Sequence, residues 1–101
     1  MYRQQTEVFK EWFEELSNNI REEVDKYIGR VLSGNFSNCK PIREGVHEIR
    51  INYQKGYRVY FTTLQNGVIL LLLAGGNKKR QQQDAELAVK IKDYLKRSRK
   101  I

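Results

Sequence analysis

The sequence predicts an α+β fold: an N-terminal helical hairpin packed on a small antiparallel sheet, with a C-terminal helix, all in one domain over residues 1–101. Three patterns carry this prediction. Residues 46–76 hold a period of two, residues 6–34 hold a helical period broken once, and residues 84–100 hold a second helical stretch. With 101 residues there is room for one modest core and no separate catalytic domain.

Residues 2–5 read as a short extended segment, an edge strand. Thr6 is a suitable N-cap, and Phe9, Trp12, Phe13 and Leu16 follow at the spacing of one amphipathic stripe. Ser17-Asn18-Asn19 is a brief polar break. A second helix then carries Ile20, Val24, Tyr27, Ile28, Val31 and Leu32 on one side and ends near Gly34. Helical spacing already explains the aromatic stripe as core. Residues 35–45, NFSNCKPIREG, read as a loop from their Asn, Ser, Pro and Gly content.

In the central stretch Ile49, Ile51 and Tyr53 alternate with Glu48, Arg50 and Asn52. After Gln54-Lys55-Gly56, the set Tyr57, Val59 and Phe61 alternates with Arg58, Tyr60 and Thr62. Asn66-Gly67 is a hairpin signal that leads into the apolar run at 68–74. Three antiparallel strands follow, with one face buried and the other carrying arginine and tyrosine. A turn at residues 54–56 sets Arg50 opposite Tyr60 and Asn52 opposite Arg58. Gly75-Gly76-Asn77 then reads as a flexible exit into Lys78, Lys79 and Arg80. Asp84 suits the first turn of the last helix, whose apolar side takes Leu87 or Ala88, Ile91, and Tyr94 or Leu95.

The charge is +7 in total and unevenly placed: −2 over residues 1–30, +3 over 40–60 and +6 over 76–101. A surface built from the sheet and the C-terminal third is therefore positive, which suits RNA, DNA or an acidic protein. One cysteine excludes an internal disulfide, and one histidine beside it argues against a conventional zinc or iron site. No cofactor is expected. The N-terminus lacks the apolar segment of a signal peptide, and the longest apolar run has seven residues, too short to cross a bilayer. The expectation is a cytoplasmic protein with no membrane partner.

Two arginines on one face can hold a phosphate through directed donors. Cleavage of RNA needs a base for the 2′-hydroxyl, donors for the pentacoordinate phosphate and a proton for the leaving 5′-oxygen. Arginine stays protonated and serves only as a donor. Glu48 is the natural base by intrinsic pKa, or else pairs with an arginine. His47 has the parity of Ile49 and Ile51, so it lies off the polar face and is read as structural. Cys39 has no visible base and is not read as a nucleophile.

Phe9, Trp12 and Leu16, then Gly34-Asn35-Phe36, Lys40-Pro41, Gly45, Glu48-Ile49-Arg50-Ile51, Gly56-Tyr57-Arg58-Val59-Tyr60-Phe61, and Leu71-Leu72-Leu73 before Gly75-Gly76-Asn77-Lys78 occur in this order. Together they resemble the HigB-like branch of the RelE toxin superfamily, also called addiction-module killer or phage-derived toxin-like proteins. The resemblance implies a RelE-like fold and the toxin of a type II toxin–antitoxin system. It implies a ribosome-dependent endoribonuclease that cuts translated mRNA without a metal, through the RNA's own 2′-hydroxyl. It also implies a cognate antitoxin with a helix-turn-helix DNA-binding part, and operator DNA bound through the pair.

By that resemblance Arg50, Arg58 and Lys78 take catalytic roles, with Tyr60 beside them. Tyr53 joins the basic residues Lys40, Arg43, Lys79 and Arg80 as RNA-binding candidates. The exit loop departs from the family pattern: Asn77-Lys78-Lys79-Arg80-Gln81 stands where relatives carry Asp, Lys, two small hydroxyl residues and Gln. A non-catalytic nucleic-acid-binding or interaction module is the alternative reading of the same charge.

Overall fold

The computed structural model describes residues 1–101 and runs β1 (Tyr2–Gln5), α1 (Glu7–Glu14), α2 (Asn18–Leu32), β2 (Cys39–Arg43), β3 (Val46–Ile51), β4 (Tyr57–Leu64), β5 (Ile69–Asn77) and α3 (Gln81–Arg97). A single 3-10 turn, Lys78–Arg80, joins β5 to α3. The α+β class expected from the sequence holds, and the expected elements keep their order with one strand, β2, added among them. The sheet has five strands in the order β1-β5-β4-β3-β2, antiparallel from β2 through β5 and parallel only between β1 and β5.

Thr6 caps α1 as its sequence context suggests. Its hydroxyl accepts from the Phe9 backbone N–H at 3.1 Å and donates to the Leu73 carbonyl at 2.7 Å. One side chain thus satisfies an orphan donor of the helix and ties the helix start to β5, a cap worth about 1 kcal/mol. Phe9 is fully buried; it stacks on Phe13 at 5.6 Å and meets Trp12 at a tilt, 5.7 Å between ring centroids. With Val24, Ile28 and Val31 of α2 it packs on Ile49, Ile51, Tyr57, Val59, Phe61, Leu70 and Leu72. This is the helix-side face of the sheet, with the parity read from the sequence.

Four expectations are corrected. Residues 39–43 lie within the expected loop but form strand β2 on β3, with Cys39 opposite Ile49 and Lys40 opposite Glu48. Pro41 is tolerated because β2 is an edge strand, where a missing N–H costs no ladder bond on the outer side. The β3–β4 register sets Arg50 opposite Arg58 and Glu48 opposite Tyr60, two residues away from the expected pairing. The connection spans residues 52–56, with Gln54 and Gly56 at positive φ, rather than a tight three-residue turn. An even shift keeps every side chain on its face.

The third correction concerns the second face, which α3 covers. Val46, Tyr60, Leu71, Leu73 and Ala74 pack there against Ala85, Ala88 and Val89. A bulge in β5 pairs Tyr60 with Ala74 but Phe61 with Leu72, so Leu73 and Ala74 both turn toward α3. On α3 the inward choice is Ala88 and Leu95; Leu87 and Tyr94 are exposed. Fourth, Gly75-Gly76 is no flexible exit. Both belong to β5, and each lacks a Cβ because something occupies that place: Trp12 over Gly75 and Asp84 over Gly76.

Candidate nucleic-acid interface

Three segments converge at one end of the sheet: the close of the β3–β4 hairpin, the end of β5 and the turn into α3. Arg50, Arg58 and Gly76 are neighbours across β3, β4 and β5. Lys78 joins them from the turn. Its backbone N–H donates to the Gly56 carbonyl at 3.3 Å. A Cβ on Gly56 would stand 3.6 Å from Lys78 Cβ and 3.8 Å from Arg58 Nη1, so the two side chains flank the same glycine.

Glu48 organises the arginines. Its carboxylate is fully buried and accepts from Arg50 Nε at 3.0 Å and from the Gln81 amide at 3.2 and 3.4 Å. Arg58 Nε stands 3.9 Å away, close enough for charge attraction and too far for a hydrogen bond. Arg50 is held by Nε alone, which leaves its two terminal nitrogens free at the surface. Arg58 is 7% exposed; its Nη1 donates to the Tyr57 carbonyl at 3.2 Å, and its Nε has no hydrogen-bond partner. A buried donor left without a partner costs about 1–3 kcal/mol, a cost that the nearby charge of Glu48 offsets in part.

Tyr60 is fully buried, and its hydroxyl donates to the Gln81 carbonyl at 3.1 Å. Burial, then the negative charges of Glu48 and Asp84, push its pKa far above the ordinary phenol value. It therefore braces α3 against the sheet. Lys79 and Arg80 are exposed; the Lys79 N–H donates to Asn77 Oδ1, and Arg80 Nε lies 3.9 Å from Asp84. Lys55, Asn77, Lys78 and Lys79 line a hollow of about 370 Å³.

The other sequence candidates spread outward. Lys40 is exposed on β2 opposite Glu48. Arg43 is engaged with acids: it bonds both Glu86 oxygens, at 3.2 and 3.1 Å, and meets Glu44 at 3.5 Å. Tyr53 packs against the helix-side core, apart from the arginines. His47 stacks on Phe61 at 5.4 Å on that same side, as its parity implied. Cys39 is half-buried, and burial pushes its thiol up to about 11. The sequence marked Gln81 only as the end of the exit loop and Asp84 only as a first-turn residue, because their contacts with the sheet depend on how α3 docks. No three His, Cys, Asp or Glu side chains gather as metal ligands, and no helix is long and apolar enough to cross a membrane.

The fold is that of the RelE toxins. A free-state mutant of the E. coli toxin RelE superposes with a TM-score of 0.72 at 19% identity, over 88% of this chain and 94% of that one. The E. coli RelBE toxin–antitoxin complex gives 0.65 at 18% identity, over 75% and 94%. The RelBE2 toxin–antitoxin complex of Mycobacterium tuberculosis gives 0.61 at 15% identity, over 76% and 96%. More particularly, the model of the family "Phage derived protein Gp49-like" matches residues 11–96, and the chain belongs to that family. An uncharacterized protein of Haemophilus influenzae is 38% identical over 65 residues, 63% of this chain. The match spans 65% of that relative's own length.

Proposed function

We propose that the protein is the toxin of a type II toxin–antitoxin pair and acts as a ribosome-dependent endoribonuclease on translated mRNA. The observation that carries this reading is the convergence of Arg50, Arg58 and Lys78 around Gly56 and Gly76, with Glu48 fixing the arginines from behind. Arg50 and Arg58 stabilise the pentacoordinate phosphate formed when the RNA's 2′-hydroxyl attacks. Lys78 donates the proton to the leaving 5′-oxygen. Tyr60 acts as a positioning residue through Gln81. Lys40, Lys79 and Arg80 extend the basic track for the RNA backbone, and no metal enters the chemistry.

Neither Glu48 nor His47 is presented to a substrate: the carboxylate is buried under two arginines, and the imidazole lies on the opposite face. A site without its own free base suits an enzyme that works only once RNA is held in the ribosome. The same observation also favours a second reading, a nucleic-acid-binding module without catalysis. The partner of the toxin is a cognate antitoxin with a helix-turn-helix part that carries the pair to operator DNA. E. coli RelE has been solved with its antitoxin, which supports a neutralising partner here. A ribosome substrate makes the compartment cytoplasmic.

Induction in growing cells with mapping of mRNA 5′ ends tests the proposal. Wild type is expected to arrest translation and cut within translated regions. Arg50→Ala loses about 2–4 kcal/mol of transition-state stabilisation, a drop of roughly 30- to 1000-fold. Full cleavage by Arg50→Ala, Arg58→Ala and Lys78→Ala alike overturns the site. RNA binding without cleavage in the presence of ribosomes supports the second reading.

A further inference from the structure

The hollow of about 370 Å³ beside the arginine cluster is walled by Lys55, Asn77, Lys78 and Lys79. Lys78 adjoins both places: it flanks Gly56 together with Arg58, and it lines the hollow, which neither arginine does. Lys55, which its sequence context marks only as a turn residue, comes from the tip of the β3–β4 hairpin. That tip is pinned. The Gly56 N–H donates to the Tyr53 carbonyl at 3.0 Å, and the Gly56 carbonyl accepts from the Lys78 N–H at 3.3 Å. Gln54 and Gly56, on either side of Lys55, both hold positive φ. The backbone thus fixes where the Lys55 and Lys78 side chains begin.

Charge separates this hollow from the other concavity nearby. A cleft of about 430 Å³ between the end of α1 and the start of α3 shares Lys55 and Asn77 as lining, but it also holds Glu15 and Asp84. The hollow holds no acid. Its three lysines are exposed and none takes part in an ion pair, whereas Lys26, Arg43 and Arg97 each meet a carboxylate. Three ammonium groups gathered without a counter-charge repel one another, and an anion among them reverses the sign of that interaction.

We propose that the hollow is a second phosphate subsite, which takes the RNA phosphate on the 3′ side of the scissile one, with Lys55 and Lys79 as its donors. The inference rests on the RNA-cleaving reading above. In that reading the arginines hold the scissile phosphate and Lys78 serves the leaving 5′-oxygen. The nucleotide that carries this oxygen runs past Lys78, and its own 3′-phosphate comes next. Lys55 and Lys79 meet it with charge-assisted hydrogen bonds. No aromatic or apolar residue lines the hollow, so the subsite reads the backbone and leaves the base outside.

Adenosine 3′,5′-bisphosphate carries two phosphates joined as in RNA, and 5′-AMP carries one. Titrating the full-length protein with each, with amide shifts followed by NMR, measures binding without cleavage. The bisphosphate is expected to bind about tenfold more tightly, the scale of one charged hydrogen bond. Lys55→Gln removes that gain and Lys55→Arg keeps it. Lys10→Gln, which loses the same charge from an exposed site on α1, keeps it too. No gain on the wild type, or a gain that Lys10→Gln reduces as much as Lys55→Gln does, overturns the subsite. The wild-type comparison stands whether or not a variant folds.

On the ribosome the position of the cut fixes the register. An uncharged methylphosphonate in place of the phosphate 3′ to the cut is expected to slow the wild type about tenfold and to add nothing to the loss in Lys55→Gln. Slowing only when the 5′ neighbour is replaced overturns the assignment. If the bisphosphate gains through Lys55 and no mRNA is cut, the cleavage reading fails and the phosphate subsite stands. If mRNA is cut in dependence on Arg58 and the bisphosphate gains nothing, the subsite falls alone.

Discussion

Replacing Glu48 by Gln tests whether the buried carboxylate holds the arginine cluster together. The side chain is fully buried between an arginine that is 44% exposed and one that is 9% exposed. The attraction to Arg58 at 3.9 Å is about 4 kcal/mol at an effective dielectric near 20. The attraction to Arg50 is screened by water and adds about 1 kcal/mol or less. Gln keeps the shape but removes the charge, and it turns an N–H2 toward donors on Arg50 or Gln81. Arg58 is then a buried cation without a counter-charge, a loss of roughly 3 kcal/mol after desolvation is allowed for. For a domain of this size that lowers Tm by roughly 12–24 °C. Urea denaturation read by Trp12 fluorescence and by far-UV circular dichroism measures it. Arg58→Met removes one of Glu48's two counter-charges but leaves its hydrogen bonds from Arg50 and Gln81, so it costs less. The double variant Glu48→Gln with Arg58→Met is expected to be no less stable than either single one, because neither charge is left alone. If the Glu48→Gln loss is under about 1 kcal/mol, or the two losses add, the carboxylate is not the anchor described above.

Four further outcomes follow from burial and from the space around particular residues. Gly75→Ala and Gly76→Ala place a Cβ 2.5 Å from Trp12 Cδ2 and 2.7 Å from Asp84 Cγ, and each destabilises by about 3 kcal/mol. Gly29→Ala, with nothing within 4 Å, stabilises α2 by about 0.5–1 kcal/mol in the same urea assay. Burial raises the Asp84 pKa above 3.8, so the native state holds its proton more tightly than the unfolded chain, and stability falls as pH rises from about that value. Asp84→Asn removes this dependence: its advantage over wild type grows with pH above that point and then levels off, and a difference constant with pH contradicts the account. Cys39, with its thiol pushed up to about 11, reacts slowly with a thiol reagent at pH 8 and rapidly once the chain is denatured in urea. Equal rates in the two states refute that burial.

The helical hairpin was legible because one cause dominates it. Phe9, Val24, Ile28 and Val31 are apolar at helical spacing, and the same residues are the fully buried ones. Face parity in β3 and β4 was legible for a similar reason, since Ile49, Ile51, Val59 and Phe61 all seek one side. Register was not, because it depends on how many residues the 52–56 connection uses, and a shift of two satisfies the hydrophobic pattern equally well. Strand β2 was hidden by composition. Asn, Ser, Pro and Gly punctuate residues 35–45, and an edge strand beside a bulge tolerates such residues where a central strand does not.

The depth of the polar face could not be read from its alternation, and depth is what gives that face its chemistry. A strand that alternates Glu, Arg and Tyr with apolar residues suggests a solvated surface. Here Glu48, Arg58 and Tyr60 are buried, because α3 lays Ala85, Ala88 and Val89 over the neighbouring residues and Gln81 bonds to both Glu48 and Tyr60. The polar groups are tolerated inside because they largely satisfy one another. An arginine on an open strand would swing through water and bring little fixed charge to a phosphate. Arg58, bounded by Glu48, the Tyr57 carbonyl and Gly56, has little freedom left to lose, so in the proposed function its charge is already fixed before a phosphate arrives. Arg50 and Lys78, each anchored at one point with its charged end free, supply the reach that a buried donor lacks.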